Sequence, residues 1–207
     1  MKDIMKKTGF AAAVLFVCVL MHFYGKVTDS QRLQREIAKE VIRLHVVANS
    51  DSVEDQTLKL EVKEEILELL RERMNEDDTI DMAQQTLRDS LDEIEKAALC
   101  YIHDKGYDYG VNAELGTCYF PVKEYGDMTF PAGEYKALKV NIGSSEGKNW
   151  WCVMYPTLCF VDSTYQTVPD ESKERLKENL TEEEYNSLLT GGEDVEYGFK
   201  FLDLFHF

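Results

Sequence analysis

The side chains that could carry out chemistry are few in this chain, and they are not spaced for catalysis. The 207 residues include only four histidines and five cysteines. No H-E-x-x-H, P-loop or G-x-G-x-x-G pattern is present. No two cysteines have C-x-x-C or zinc-ligand spacing. We therefore expect no catalytic residues, no metal site and no cofactor.

Polar side chains do gather where a predicted strand ends and a helix begins. The apolar run Val41–Ala48 is closed by the turn and cap residues Asn49–Ser52. Such a junction is a common position for a binding site, although capping and solvation of the strand end would explain the same residues. The candidates for contact with a partner are Arg43, His45, Asn49, Asp51, Asp55, Gln56 and Lys59.

A second candidate surface lies in the stretch Asn149–Cys159, which contains two adjacent tryptophans. Neighbouring residues of a strand point to opposite faces, so Trp150 and Trp151 cannot share one environment. An exposed tryptophan is a frequent interface anchor, while core packing with a tethered loop is the alternative. Asn149, Trp150 and Trp151 join the candidates for partner contact.

Four cysteines lie beyond the first 25 residues, and an even number permits two disulfides with three possible pairings. Cys152 and Cys159 are seven residues apart and could face each other across a tight turn. This is the pairing that we favour, with free buried thiols as the alternative. The cysteines are Cys100, Cys118, Cys152 and Cys159.

The first 25 residues have the pattern of an export segment. Lys2, Lys6 and Lys7 precede 18 uncharged residues, Thr8–Gly25. This length lies between a signal-peptide core and a full membrane span, so a cleaved signal peptide and a retained signal anchor both remain open. We divide the chain into the segment 1–25, a linker or short helix at 26–40, and a single extracytoplasmic domain at 41–207.

The charge of the chain excludes one class of partner. It carries 23 basic and 39 acidic residues, a net charge of −16. Such a surface repels phosphate backbones, so nucleic-acid binding is not expected.

Hydrophobic periodicity predicts an α+β fold: a mostly antiparallel sheet with two long helices packed on one face, plus an N-terminal membrane-targeting helix. The turn Gly143–Lys148 predicts a hairpin between the strands on either side of it. The predicted elements are a strand at 41–48, helices at 52–74 and 79–105, strands at 109–121, 135–142 and 149–155, a two-part helix at 172–189 and a last strand at 196–205.

Three separated stretches, in this order, resemble the stage II sporulation protein R family. They are Ile42–Asp51 with Asp55-Gln56, then Gly133–Leu138, then Asn149–Val153 with Pro156 and Cys159. The resemblance extends from about Ile37 to the last predicted strand.

The resemblance implies a secreted signal of endospore-forming bacteria rather than an enzyme. Such a protein is made in the forespore and exported into the space between the forespore and mother-cell membranes. There it activates a membrane-embedded aspartic protease, which removes the pro-sequence of the mother-cell factor sigma-E. The only membrane contact expected of the chain itself is through residues 1–25.

An exported cell-wall hydrolase is the alternative function. Cys152 or Cys159 would be its nucleophile, and His45 or His103 its base. The cleavage of the export segment, the surface that binds the protease and the oligomeric state are left open by the sequence.

Overall fold

The computed structural model describes residues 2–75, 78–156, 158–159 and 167–189. The last predicted strand, 196–205, lies outside these residues. Within them the chain forms α1 (Lys2–Glu40), β1 (Ile42–Val47), α2 (Val53–Arg73), α3 (Ile80–Asp89), α4 (Leu91–Asp104), β2 (Val111–Phe120), β3 (Lys123–Tyr125), β4 (Met128–Phe130), β5 (Gly133–Ile142), β6 (Asn149–Tyr155), α5 (Asp170–Asn179) and α6 (Glu182–Leu188).

The main sheet has four strands in the order β2-β5-β1-β6. β1 is parallel to β5 and antiparallel to β6, and β2 is antiparallel to β5. A short antiparallel pair, β3-β4, lies apart from it. The α+β class and the mostly antiparallel sheet are therefore confirmed.

The predicted hairpin between β5 and β6 is wrong, because β1 lies between these two strands. The loop after β5 crosses the end of β1 and is attached to it. The N–H groups of Glu146 and Gly147 donate to the carbonyl oxygens of Asn49 and Ala48. A turn signal in the sequence predicts that the chain reverses direction, but it does not predict whether another strand lies between the two strands that the turn connects.

Both faces of the sheet are covered, which corrects the prediction that helices pack on one face only. Ile42, Leu44 and Val46 of β1 lie in a cluster with α2, α3 and α4. On the opposite face, Phe120, Tyr135 and other residues of β2 and β5 pack with the end of α1, the β3-β4 pair, α5 and α6. All six residues of β1 are buried, since the strand has a hydrophobic layer on each side.

The helix ends follow the capping residues of the sequence. The Ser52 side chain accepts the N–H of Asp55 at the start of α2, and Thr181 and Glu184 form a complete capping box on α6. The second predicted long helix is divided in two, because Ser90 ends α3 and begins α4.

α1 is one unbroken helix of 39 residues that ends inside the domain. Ile37 is fully buried, and Leu33 and Ala38 pack against the same cluster. Gln34 Nε2 donates to the carbonyl oxygen of Glu134 at 3.1 Å, so the short helix expected at 26–40 is the last part of a longer one. No helix in the described part of the chain combines the length and the apolar character needed to cross a membrane. The N-terminal membrane-targeting helix therefore stays a prediction.

Candidate functional site

β1 positions Arg43 and His45 on the face opposite to Ile42, Leu44 and Val46. Side chains alternate along a strand, and the second face of β1 looks toward α1, α5 and α6. Arg43 and His45 are 0% and 7% exposed. The side chains of Arg43 and His45 are thus buried in a layer of otherwise apolar residues.

Arg43 lies inside a cage of aromatic rings. Its guanidinium carbon is 4.3 Å from the centre of the Phe120 ring and 4.9 Å from that of Tyr135. Its Nη2 donates to the hydroxyl of Tyr125 at 2.7 Å, and Phe130 is a third ring at 5.5 Å. Cation–π contacts and this hydrogen bond offset part of the cost of removing the charge from water.

The electrostatics of the cage are unusual because no carboxylate among the described residues pairs with Arg43. Its Nη1 has no hydrogen-bond partner there. Burial raises the pKa of Tyr135 to about 12, despite the opposing effect of the neighbouring cation. The phenol therefore stays neutral and supplies a ring face rather than a counter-charge.

His45 lies beside the cage, in contact with two aromatic rings. Its ring stacks on that of Trp151 with centroids 3.7 Å apart, and Phe120 meets both rings edge-on. His45 Nε2 and Asn149 Oδ1 are 2.7 Å apart, in a hydrogen bond that the imidazole donates. Burial lowers the pKa of His45 below its ordinary value, and the charge of Lys139 acts in the same direction.

The stack reaches the surface at Trp151 and Asn149. His45 Nδ1 is buried without a hydrogen-bond partner among the described residues. Trp151 is half-buried and Asn149 is exposed, so a bound molecule could contact the ring edge and the amide. Arg43, His45, Asn149 and Trp151, which come from two separate candidate stretches of the sequence, therefore lie together, and we call these four residues the aromatic face. Their contact with a partner stays a prediction.

The polar residues after β1 form a different arrangement, centred on the Asp55 carboxylate. Asp55 Oδ2 accepts from Asn49 Nδ2 at 2.8 Å and from Ser50 Oγ at 2.5 Å. Burial alone would raise the pKa of Asp55, but the hydrogen bonds from Ser50, Asn49 and Tyr109 lower it. The carboxylate is thus ionised and fully occupied by the protein's own donors.

The same arrangement holds the loop 143–148 in place. Asn49 Oδ1 accepts the N–H of Ser144 at 2.9 Å, and Asp51 Oδ1 accepts that of Lys148 at 2.7 Å. Lys59 Nζ donates to Gln56 Oε1 and to the carbonyl oxygen of Lys148, and burial lowers its pKa. These contacts favour the capping interpretation over a binding site. We call the group Asn49, Asp51, Asp55, Gln56 and Lys59 the polar clamp.

Trp150 belongs to neither group. It lies on the α2 side of the sheet, where Lys63 Nζ sits 4.4 Å from the centre of its ring. Cys152, two residues further along the same strand, is bonded to Cys159 as a disulfide with Cα atoms 5.2 Å apart. This is the pairing considered from the sequence spacing, whereas Cys100 and Cys118 are free.

One motif escaped the sequence analysis. Gly143-Ser144-Ser145-Glu146-Gly147 matches the G-x-S-x-G pattern of hydrolase nucleophiles. In those enzymes the serine lies between a strand and a helix, whereas here the loop leads into a strand. Ser145 has φ = 58°, and no histidine is among its hydrogen-bond partners in the described residues. We interpret the match as a tight turn.

The aromatic cage was also missed. Phe120, Tyr125, Phe130 and Tyr135 come from β2, β3, β4 and β5, and only the sheet order brings them to Arg43. A signal was available in part, since a charged residue inside an apolar strand must find partners. Among the described residues, no group of three or more histidine, cysteine or acidic side chains is arranged to hold a metal ion.

Comparison with known proteins gives a consistent result over most of the chain. The sequence model of stage II sporulation protein R matches residues 38–165, which include every strand of the sheet. Stage II sporulation protein R of Bacillus subtilis (strain 168) is 31% identical over 184 residues, covering 86% of this chain and 82% of that protein. No solved structure matches the chain. The chain therefore belongs to the stage II sporulation protein R family.

Proposed function

We propose that this protein is a secreted sporulation signal that crosses from the forespore into the intermembrane space and activates the protease that processes pro-sigma-E. The observation that carries the proposal is the family match over residues 38–165, supported by 31% identity to the Bacillus subtilis protein. The protein acts as a ligand, and the chemistry is that of its partner.

The N-terminal residues support the location. A basic start followed by 18 uncharged residues, Thr8–Gly25, is typical of an export signal. The disulfide between Cys152 and Cys159 suits a protein that works outside the cytoplasm, because such bonds persist in oxidising compartments.

The partner is a membrane-embedded aspartic protease of the mother-cell membrane, bound on its extracytoplasmic side. We assign the contact to the aromatic face, where Trp151 is half-buried and held in one orientation by His45. A rigid aromatic anchor loses little entropy on binding. Binding activates the protease only if the active state is bound more tightly than the inactive one.

The cysteine-hydrolase alternative is disfavoured by the bonding of its own nucleophiles. A cysteine nucleophile reacts as a thiolate, and the sulfurs of Cys152 and Cys159 are joined to each other. His45, one of the two candidate bases, is stacked on Trp151 and bonded to Asn149.

The test is reconstitution in a bacterium that does not sporulate. The protease and pro-sigma-E are co-expressed with and without the full-length chain, and the ratio of mature to precursor sigma factor is measured on immunoblots. We expect at least tenfold more mature factor when the chain is present. Equal processing in both cultures would overturn the proposal.

A pair of aromatic variants tests the surface. Trp151→Ala removes the anchor, while Tyr101→Ala removes a half-buried ring from α4 on the other side of the sheet. Because each variant loses a partly buried aromatic ring, thermal unfolding serves as the common reference. We expect processing to fall at least tenfold for W151A and less than twofold for Y101A. Similar losses in both would remove the aromatic face from the proposal.

A further inference from the structure

Among the described residues, one edge of the sheet has backbone groups without hydrogen-bond partners. β2 pairs with β5 from Val111 to Phe120 without a shift in register. The N–H of Ala113 points away from β5, because it donates to Glu95 Oε1 at 2.7 Å. In an antiparallel ladder the direction of the backbone N–H and C=O groups alternates from residue to residue. The backbone groups of Leu115, Thr117 and Tyr119 therefore also point away from β5. No hydrogen bond within the described residues reaches their backbone groups.

The opposite edge of the sheet, β6, has backbone groups that accept hydrogen bonds from other parts of the protein. On β6 the carbonyl of Trp151 accepts from the Tyr125 hydroxyl at 3.2 Å, and that of Val153 accepts from the N–H of Leu158 at 2.9 Å. Proteins usually block open edges with charges, proline or a covering segment. The stretch Leu115–Tyr119 contains no charge and no proline, and Tyr119 is 58% exposed.

We propose that the free edge of β2 binds the same edge of a second copy of this chain, with the two strands antiparallel and the two-fold axis at Thr117. Thr117 of each copy then pairs with Thr117 of the other, and Leu115 pairs with Tyr119. The Leu115–Tyr119 pair occurs twice by symmetry, so there are three hydrogen-bonded pairs, which make about six inter-strand hydrogen bonds. The result is one sheet of eight strands.

The chain's own sequence selects this register. Ala113 would lie opposite Pro121, so the residue whose N–H already serves Glu95 meets the residue that has no N–H. A symmetric pairing centred on Gly116 instead would place Tyr119 opposite the occupied Ala113 and lose one pair. A foreign peptide would have no reason to match these two boundaries, and for this reason we commit to a second copy.

The side chains fit the same arrangement. On one face Leu115 would meet the ring of Tyr119 and Thr117 would meet Thr117, which are favourable cross-strand pairs. On the other face Gly116 would lie opposite Cys118, with room for the sulfur because nothing lies within 4 Å of a Cβ built at Gly116.

The charge predicts the salt dependence of the dimer. Each copy carries a net charge of −16, while the contact itself is uncharged. Salt screens the repulsion between the copies, so the dimer should be favoured at high ionic strength. A single strand pairing is small for an interface, and the dimer should therefore depend on protein concentration.

Cysteine cross-linking tests the register in the full-length chain. Cys18 and Cys100 are replaced by serine, Cys118 is kept, and Gly116→Cys adds a thiol opposite Cys118 of the other copy. We expect mild oxidation to produce a covalent dimer at least tenfold faster than in the matched variant Glu114→Cys, which this register places opposite Phe120. Absence of a dimer, or faster cross-linking of E114C, overturns the proposal.

Proline replacement tests the edge itself. Thr117→Pro removes an outward N–H that the sheet does not use, so the fold should survive, while Thr117→Val keeps the N–H. Sedimentation velocity in 0.5 M salt, roughly fivefold above the ionic strength at which the screening length is about 10 Å, should show dimers for T117V and monomers for T117P. Circular dichroism verifies folding. Monomers for the wild-type chain and both variants, or a dimer in folded T117P, contradict the inference, which does not depend on the identity of the protease.

Discussion

The polar clamp follows β1 in the chain and the aromatic face is built on β1 and β6, yet the two groups use polar side chains in opposite ways. In the clamp, Asp55 is bonded by Asn49, Ser50 and Tyr109, all from the protein itself. In the aromatic face, Arg43 Nη1 and His45 Nδ1 have no hydrogen-bond partner among the described residues. Polar groups that remain unsatisfied after folding therefore make the aromatic face the better candidate for binding of the two.

Arg43 gives the largest effect that the comparison predicts. Arg43→Ala empties the centre of the aromatic cage, and we expect it to reduce the free energy of unfolding by about 3–5 kcal/mol. Arg43→Met refills most of the volume without the buried charge, and it should cost about 1 kcal/mol or stabilise the fold. Guanidinium denaturation measures both. A loss in R43M as large as in R43A would reveal that the cation itself is required.

Asp55 is the corresponding position in the polar clamp. Asp55→Ala leaves three side-chain donors without their acceptor in a buried site, so the free energy of unfolding should fall by about 2–3 kcal/mol. Asp51→Ala is the matched control, since exposed Asp51 accepts from the N–H of Lys148, and about 1 kcal/mol is expected. Equal losses in the two variants would mean that the clamp is not centred on Asp55.

Acid should weaken the clamp at low pH. The pKa of Asp55 is lowered in the folded protein, so its contribution is present above the ordinary value of 3.8 and is lost as the pH falls through the folded value. The free energy of unfolding of the wild-type protein should therefore decrease more steeply below pH 4 than that of Asp55→Asn. Parallel curves for the two proteins would contradict this.

His45 predicts the smallest effect, at higher pH. Its pKa is lowered by burial, so between its ordinary value of 6.5 and the folded value the unfolded chain binds more protons. Stability should decline as the pH falls below 6.5, and His45→Gln should remove that part of the slope. Urea denaturation at pH 7.5 and 5.5 measures it, and an unchanged slope in H45Q would assign the titration to another group.

Local features of the fold were predictable from the sequence. The buried strand at β1, the Ser52 cap and the Thr181–Glu184 capping box follow from residues that are close in the chain. The division of α3 from α4 at Ser90 was not predicted, because the apolar spacing continues across it.

Contacts between distant residues were not predictable. β1 lies between β5 and β6 in the sheet although it comes about 90 residues earlier in the chain, as the pairing of Arg43 with Ala137 shows. The rings around Arg43 come from four strands for the same reason. Of the ten candidate residues, the sequence could identify which were polar or aromatic, but only the sheet order divides them into clamp, aromatic face and the separate Trp150.

Because α1 is continuous, the rotation of the domain about the helix axis depends on the number of residues in the helix. At 1.5 Å per residue its 39 residues span roughly 58 Å, and Leu33, Ile37 and Ala38 fix its last turns against the core. One residue inserted between Gly25 and Leu33 would therefore rotate the domain by about 100° relative to the first 25 residues. If those residues are retained on a surface, the direction in which Trp151 faces is determined by the number of residues in the helix.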